Sequence, residues 1–166
     1  MKSKELKIRN ALMTSVSFLI LSLFMVSCAN QPAAPSAEEA HDAIWKKITR
    51  ANDLWADGNT LGFVECAAED VTWMDDLAAP KPVIGKAALK TYLESFMGMV
   101  PKHEHKLMNS YFQYYDDIVI VTYWYQGIFE GEPQTPWKVT SVYRYADGDW
   151  LSVHENWTEV NPASQE

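Results

Sequence analysis

Lys138–Glu159, KVTSVYRYADGDWLSVHENWTE, reads as two strands joined by a tight turn. Asp147-Gly148 is the turn, because both residues tolerate the positive φ that a two-residue hairpin connection requires. Apolar or aromatic and polar residues alternate on either side, the period of a strand with one face buried. Working outward toward the N-terminus, the same character recurs. Strands are expected over about 105–115, 118–129, 137–146 and 149–159, with Asp116-Asp117 and a Gly131–Pro136 loop between them. From His105 onward the chain therefore predicts an antiparallel meander.

Upstream the period changes to that of helices. Ser36 followed by Glu39 is a capping box, and Ile44, Ile48, Ala51 and Trp55 recur at helical spacing, with Trp45 and Leu54 widening the stripe. Asp57-Gly58-Asn59 supplies the stop. A shorter helix is expected over 60–67, a brief strand over 71–74 and a loop over 75–82. Gly85 then leads into a helix carrying Ala88, Leu89, Tyr92, Leu93 and Phe96. Helices first and strands after favour an α+β domain in which helices cover one face of a curved sheet. Such a sheet encloses a cone-shaped interior, a natural small-molecule pocket unless its own aromatics fill it.

The chain begins MKSKELKIRNALMTSVSFLILSLFMVSC. Lys2, Lys4, Lys7 and Arg9 precede an uncharged run from Ala11 to Val26, which is shorter than the about 20 residues of a bilayer span. Its end, Met25-Val26-Ser27-Cys28, resembles the bacterial lipobox, which implies cleavage after residue 27 and acylation of Cys28. By the same resemblance Ala29, which is not aspartate, implies the outer membrane, with the domain facing the periplasm. Residues 28–35 are then a lipidated cysteine and a Pro/Ala tether, 36–160 the domain and 161–166 a polar tail. Cleavage removes four cations and one acid, so the remainder is three units more negative than the whole chain's −8. That balance excludes nucleic acid and anionic lipid as partners and leaves the acyl chains as the anchor. Cys66 is the only other cysteine. It has no intrachain partner once Cys28 is acylated, and it reads as a buried small side chain rather than a nucleophile.

Three segments in this order, ITRANDLWADGNTLGFVECAAEDVTWMDD, PVIGKAALKTYL and KVTSVYRYADGDWLSVHENWTE, resemble the nuclear-transport-factor-2-like (NTF2-like) domains, in the SnoaL-like/DUF4440 branch that includes ketosteroid-isomerase-like proteins. The resemblance covers Glu38 to Val160 and implies an NTF2-like cone, with N-terminal helices on a strongly curved antiparallel sheet. It implies little about chemistry, because the family holds isomerases, dehydratases, noncatalytic binders and assembly domains. Many of its members are homodimers. Tyr123 and Tyr125 on one strand face and Trp124 on the other give a physical motive for pairing here, through the outer face of the sheet.

Strict alternation in the last strand puts Ser152, His154, Asn156 and Thr158 on one face and Leu151, Val153 and Trp157 on the other. Related sequences often carry His-x-His-x-Ser here. This chain has His154-Glu155-Asn156-Trp157-Thr158, which keeps only the first histidine and weakens a two-histidine metal site. His154 is then a candidate for proton transfer or a hydrogen-bonded histidine of the pocket wall, and Asn156 a ligand contact. Asp75 and Asp76 follow the strand VTWM. In the isomerases of this superfamily a cavity carboxylate removes a proton beside a carbonyl, so either aspartate is a candidate base, against the plainer reading of solvated loop residues. Trp55, Trp73, Tyr111, Tyr123, Trp124 and Tyr143 are candidate ligand contacts, or core and dimer packing.

His41, His103 and His105 lack the convergence of a metal site, and PVIGKAAL lacks the glycines of a phosphate loop, so no metal or cofactor is expected. The leading functional expectation is an exported lipoprotein whose domain binds a small, largely apolar organic ligand. One rival is an acid-base isomerase or dehydratase using an aspartate with His154. Another is a dimeric interaction domain whose cavity is packed shut.

Overall fold

The computed structural model describes residues 34–76 and 81–160. The leader, Cys28 and the polar tail lie outside them. Helix α1, Ala37–Ala56, starts where the capping box predicts: Ser36 Oγ accepts from the Glu39 amide at 3.3 Å, and the Glu39 carboxylate accepts from the Ser36 amide at 2.9 Å. At its other end Gly58, at φ 85°, lets the Asn59 amide reach back to the Leu54 carbonyl at 2.8 Å, which closes the helix with a left-handed residue. The buried stripe is Ala40, Ile44, Ile48, Ala51, Asn52 and Ala56.

A one-turn helix, α2 (Gly62–Glu65), crosses α1 so closely that a Cβ on Gly62 would stand 2.9 Å from the Ala51 carbonyl oxygen. Strand β1, Ala67–Asp75, follows, and is longer than the sequence suggests. The exposed pair Glu69-Asp70 interrupts the alternation, and the pairing register shifts between Ala67 and Thr72. Then come β2 (Val83–Ile84) and α3 (Lys86–Glu94), which buries Leu89 and Leu93. The remaining strands are β3 (Glu104–Tyr115), β4 (Ile118–Phe129), β5 (Glu132–Pro133), β6 (Trp137–Ala146) and β7 (Asp149–Glu159).

The seven strands form one sheet in the order β2-β1-β7-β6-β4-β3, with β5 on β4. Every pairing is antiparallel except β1 on β7. Two bulges bend it: one in β3 between Met108 and Tyr111, where Asn109 takes φ 55°, and one in β7. The sheet curls around α1. Ile44, Ile48, Val71, Leu89, Leu93, Val119, Val121 and Val139 fill the contact, and each contributes roughly 1.5–3 kcal/mol by leaving water. Helices on a curled, mostly antiparallel sheet are the α+β cone that the sequence predicts.

Candidate functional site

The β7 bulge decides which side chains face inward. Val142 of β6 pairs with His154, whereas Tyr143 pairs with Ser152, so Val153 is the extra residue. Before it Trp150 and Ser152 point into the cone; after it Glu155 and Trp157 do, and all four are buried. This corrects the face assigned by strict alternation. His154 and Asn156 stand on the outer face, with His154 Nδ1 at 2.7 Å from Thr72 Oγ1 of the neighbouring strand.

The described residues enclose an aromatic cavity of about 230 Å³. Trp55 comes from the end of α1, Phe63 from α2, Trp73 and Asp75 from β1, and Phe96 from beyond α3. Tyr125, Trp137 and Trp157 come from β4, β6 and β7. Trp73 and Trp157 stack with centroids 5.9 Å apart, and Phe63 meets both nearly edge-on at 5.3 and 5.4 Å, the geometry that ring quadrupoles favour. Tyr125 is fixed from outside by His103, whose Nε2 lies 2.5 Å from the phenol oxygen.

Asp75 is the one carboxylate in this lining among the described residues. Alternation in β1 aims it to the same side as Trp73, and its Oδ2 accepts from Trp73 Nε1 and from Tyr92 OH, each at 2.6 Å. Burial and the adjacent Asp75 charge both push the Tyr92 phenol well above its ordinary range, so Tyr92 stays a protonated donor. Trp157 Nε1 is buried without a hydrogen-bond partner among the described residues.

One row deeper lies a second carboxylate. Glu155 is 4% exposed and accepts from Ser141 Oγ at 2.5 Å and Ser152 Oγ at 2.8 Å. Burial raises it to about 7 against the opposing pull of the two hydroxyls. It pairs across the sheet with Trp73 but does not line the cavity. Cys66 nearby is buried, and desolvation, with the Glu155 charge second, pushes its thiol up to about 12, which makes it a packing residue rather than a nucleophile.

The structure thus brings Trp55, Trp73 and Asp75 together from the sequence candidates. Asp76 turns away, accepting the Glu159 amide at 3.0 Å. Tyr123 and Tyr143 are buried in the core and are not in the cavity wall. Tyr111, 62% exposed, and Trp124, under Lys138 Nζ at 6.0 Å, lie on the outer face. Sequence reasoning missed Tyr92, Phe63, Phe96, Tyr125, Trp137, Trp157 and Glu155 as site residues. Helical spacing marked Tyr92 and Phe96 as apolar-face residues, and alternation marked Tyr125, but nothing local joins them to Asp75.

His103 and His105 flank Tyr125 instead of meeting His41, which packs on Phe112 at 4.3 Å. Among the described residues no three metal-ligating side chains converge.

Residues 48–153 match the model of the SnoaL-like domain, and the chain belongs to that family. Solved structures with the same fold include an NTF2-like protein of unknown function from Pseudomonas putida, 21% identical, with a TM-score of 0.66 over 78% of this chain and 94% of that one. A candidate ketosteroid isomerase from Parabacteroides distasonis is 23% identical, with a TM-score of 0.60 over 70% and 86%. An NTF2-like protein with a cystatin-like fold from Novosphingobium aromaticivorans is 16% identical, with a TM-score of 0.62 over 75% and 84%. No curated protein sequence matches the chain.

Proposed function

We propose that this SnoaL-like domain binds a small, largely apolar organic molecule in the aromatic cavity, as the working part of an exported lipoprotein held to the outer membrane through Cys28. The observation that carries this reading is the lining: seven aromatic side chains and one carboxylate around about 230 Å³. An apolar cavity of about 150 Å³ takes up benzene, and drug-sized ligands occupy roughly 300–1,000 Å³, so this space suits one ring with substituents or a compact pair of rings. The unpartnered Trp157 Nε1 supports a ligand that also carries an acceptor, since a buried donor without one costs about 1–3 kcal/mol.

A screen of one- and two-ring compounds by thermal shift and tryptophan fluorescence tests it. Compounds that stabilise the parent should lose most of their effect with Trp73→Ala. Shifts that survive this substitution, or none across the set, would remove the cavity from the reading.

One observation favours a second reading, an acid-base enzyme of isomerase or dehydratase type. Asp75 brings a carboxylate to the cavity wall, and the Tyr92 hydroxyl, which does not line the cavity, orients it by donating to its Oδ2. Asp75 would accept a proton from a carbon beside a carbonyl. In that case Asp75→Asn should lower turnover about 10²- to 10⁴-fold, with much less effect on substrate affinity.

A further inference from the structure

Resting on the cavity as a ligand site, we infer that its ligand is an organic cation: an ammonium sheathed in alkyl groups, attached to about one ring of apolar bulk. The one formal charge in the lining, among the described residues, is negative. Trp55, Trp73, Trp137 and Trp157 are four of its seven aromatics, and tryptophan offers the strongest quadrupole to a cation over its face. The eighth residue is the carboxylate Asp75, and among the described residues no Lys, Arg or His is in the wall.

Each ligand class meets that wall differently. An anion would face the Asp75 carboxylate. A primary ammonium or a metal ion would surrender a tightly held hydration shell to a wall with almost no oxygen to replace it. A neutral hydrocarbon fits the rings but makes no use of the carboxylate. A quaternary ammonium is weakly hydrated, presents methyl groups that pack against rings, and spreads its charge over all of them. Its charge also matches Asp75, which the neutral donors Trp73 and Tyr92 hold at the edge of the cavity. At longer range the acidic chain, formally −8, concentrates cations near its surface.

The test compares two probes of one shape and different charge: (4-hydroxyphenyl)trimethylammonium and its carbon isostere 4-tert-butylphenol. Binding to the full-length chain is read by tryptophan fluorescence at mildly acidic pH, where both phenols are protonated, with free probe fixed by equilibrium dialysis. The cation should bind about tenfold tighter than the isostere. Asp75→Asn should close most of that gap and leave the isostere's affinity nearly unchanged. If that variant does not fold, Trp137→Leu, which keeps apolar volume but removes a ring face, should weaken the cation several-fold more than the isostere. Equal or tighter binding of 4-tert-butylphenol to the parent would overturn the cation and leave the apolar cavity standing. Failure of both probes to bind would overturn the cavity reading as well.

Discussion

Glu155 is a carboxylate with two serine hydroxyls and almost no water, and its position makes stability depend on pH. In the folded chain it titrates near 7, against an ordinary value of 4.5, so between these pH values the folded state keeps a proton that the unfolded state releases. Its stabilising contribution is therefore complete below about 4.5 and is lost as pH rises through about 7. The full difference is on the order of 3 kcal/mol. Glu155→Gln should abolish this component. Denaturant midpoints of parent and variant, compared at pH 5 and pH 8, should diverge toward the alkaline side, with the variant more stable there. Parallel pH profiles would show that Glu155 is not the protonated group.

At the scale of the element, the single extra residue in β7 exchanges the strand's two faces. A bulge leaves one residue unpaired, so each side chain beyond it points opposite to where strict alternation would put it. His154→Ala should then leave ligand uptake within about twofold of the parent, while Trp157→Ala, which removes an indole from the cavity wall, should weaken it strongly. Fluorescence titration of both variants with one compound distinguishes them. A large loss from His154→Ala would mean that the outer face reaches the ligand. Other elements follow from local chemistry alone: α1 begins at its capping box, and β4, β6 and β7 span the residues that their turns and alternation mark.

At the scale of the whole molecule two proposals concern what lies outside the cone. If the acyl chains on Cys28 are the anchor, Cys28→Ser should release the protein into the soluble fraction after membrane fractionation. Retention through a high-salt wash would sink that proposal. The outer face of the sheet carries Tyr111 and Tyr115, both more than half exposed, near Trp124 and Ile120. We propose that a second copy covers this face, and sedimentation of the chain should give twice the monomer mass. A monomer at micromolar concentration would count against it.

The sequence by itself determined the order of the helices and of the longer strands, though not the two-residue strands β2 and β5, together with the main caps and turns and the stripe that packs α1 on the sheet. These depend on neighbours a few residues apart: Ser36 with Glu39, Asp147 with Gly148, Ile44 with Ile48. It also marked Trp55, Trp73 and Asp75 as candidates, Asp75 because it follows the strand VTWM and the tryptophans as aromatics able to line a pocket. Tertiary structure alone decided the rest. Tyr92 meets Asp75 across 17 residues because α3 lies against β1, and the cavity wall draws on four strands and the chain around three helices. The exchange of Glu155 for His154 at the interior depended on Val153 being left unpaired, which lies in the register of β7 against β6 and which the alternation of β7 by itself does not reveal.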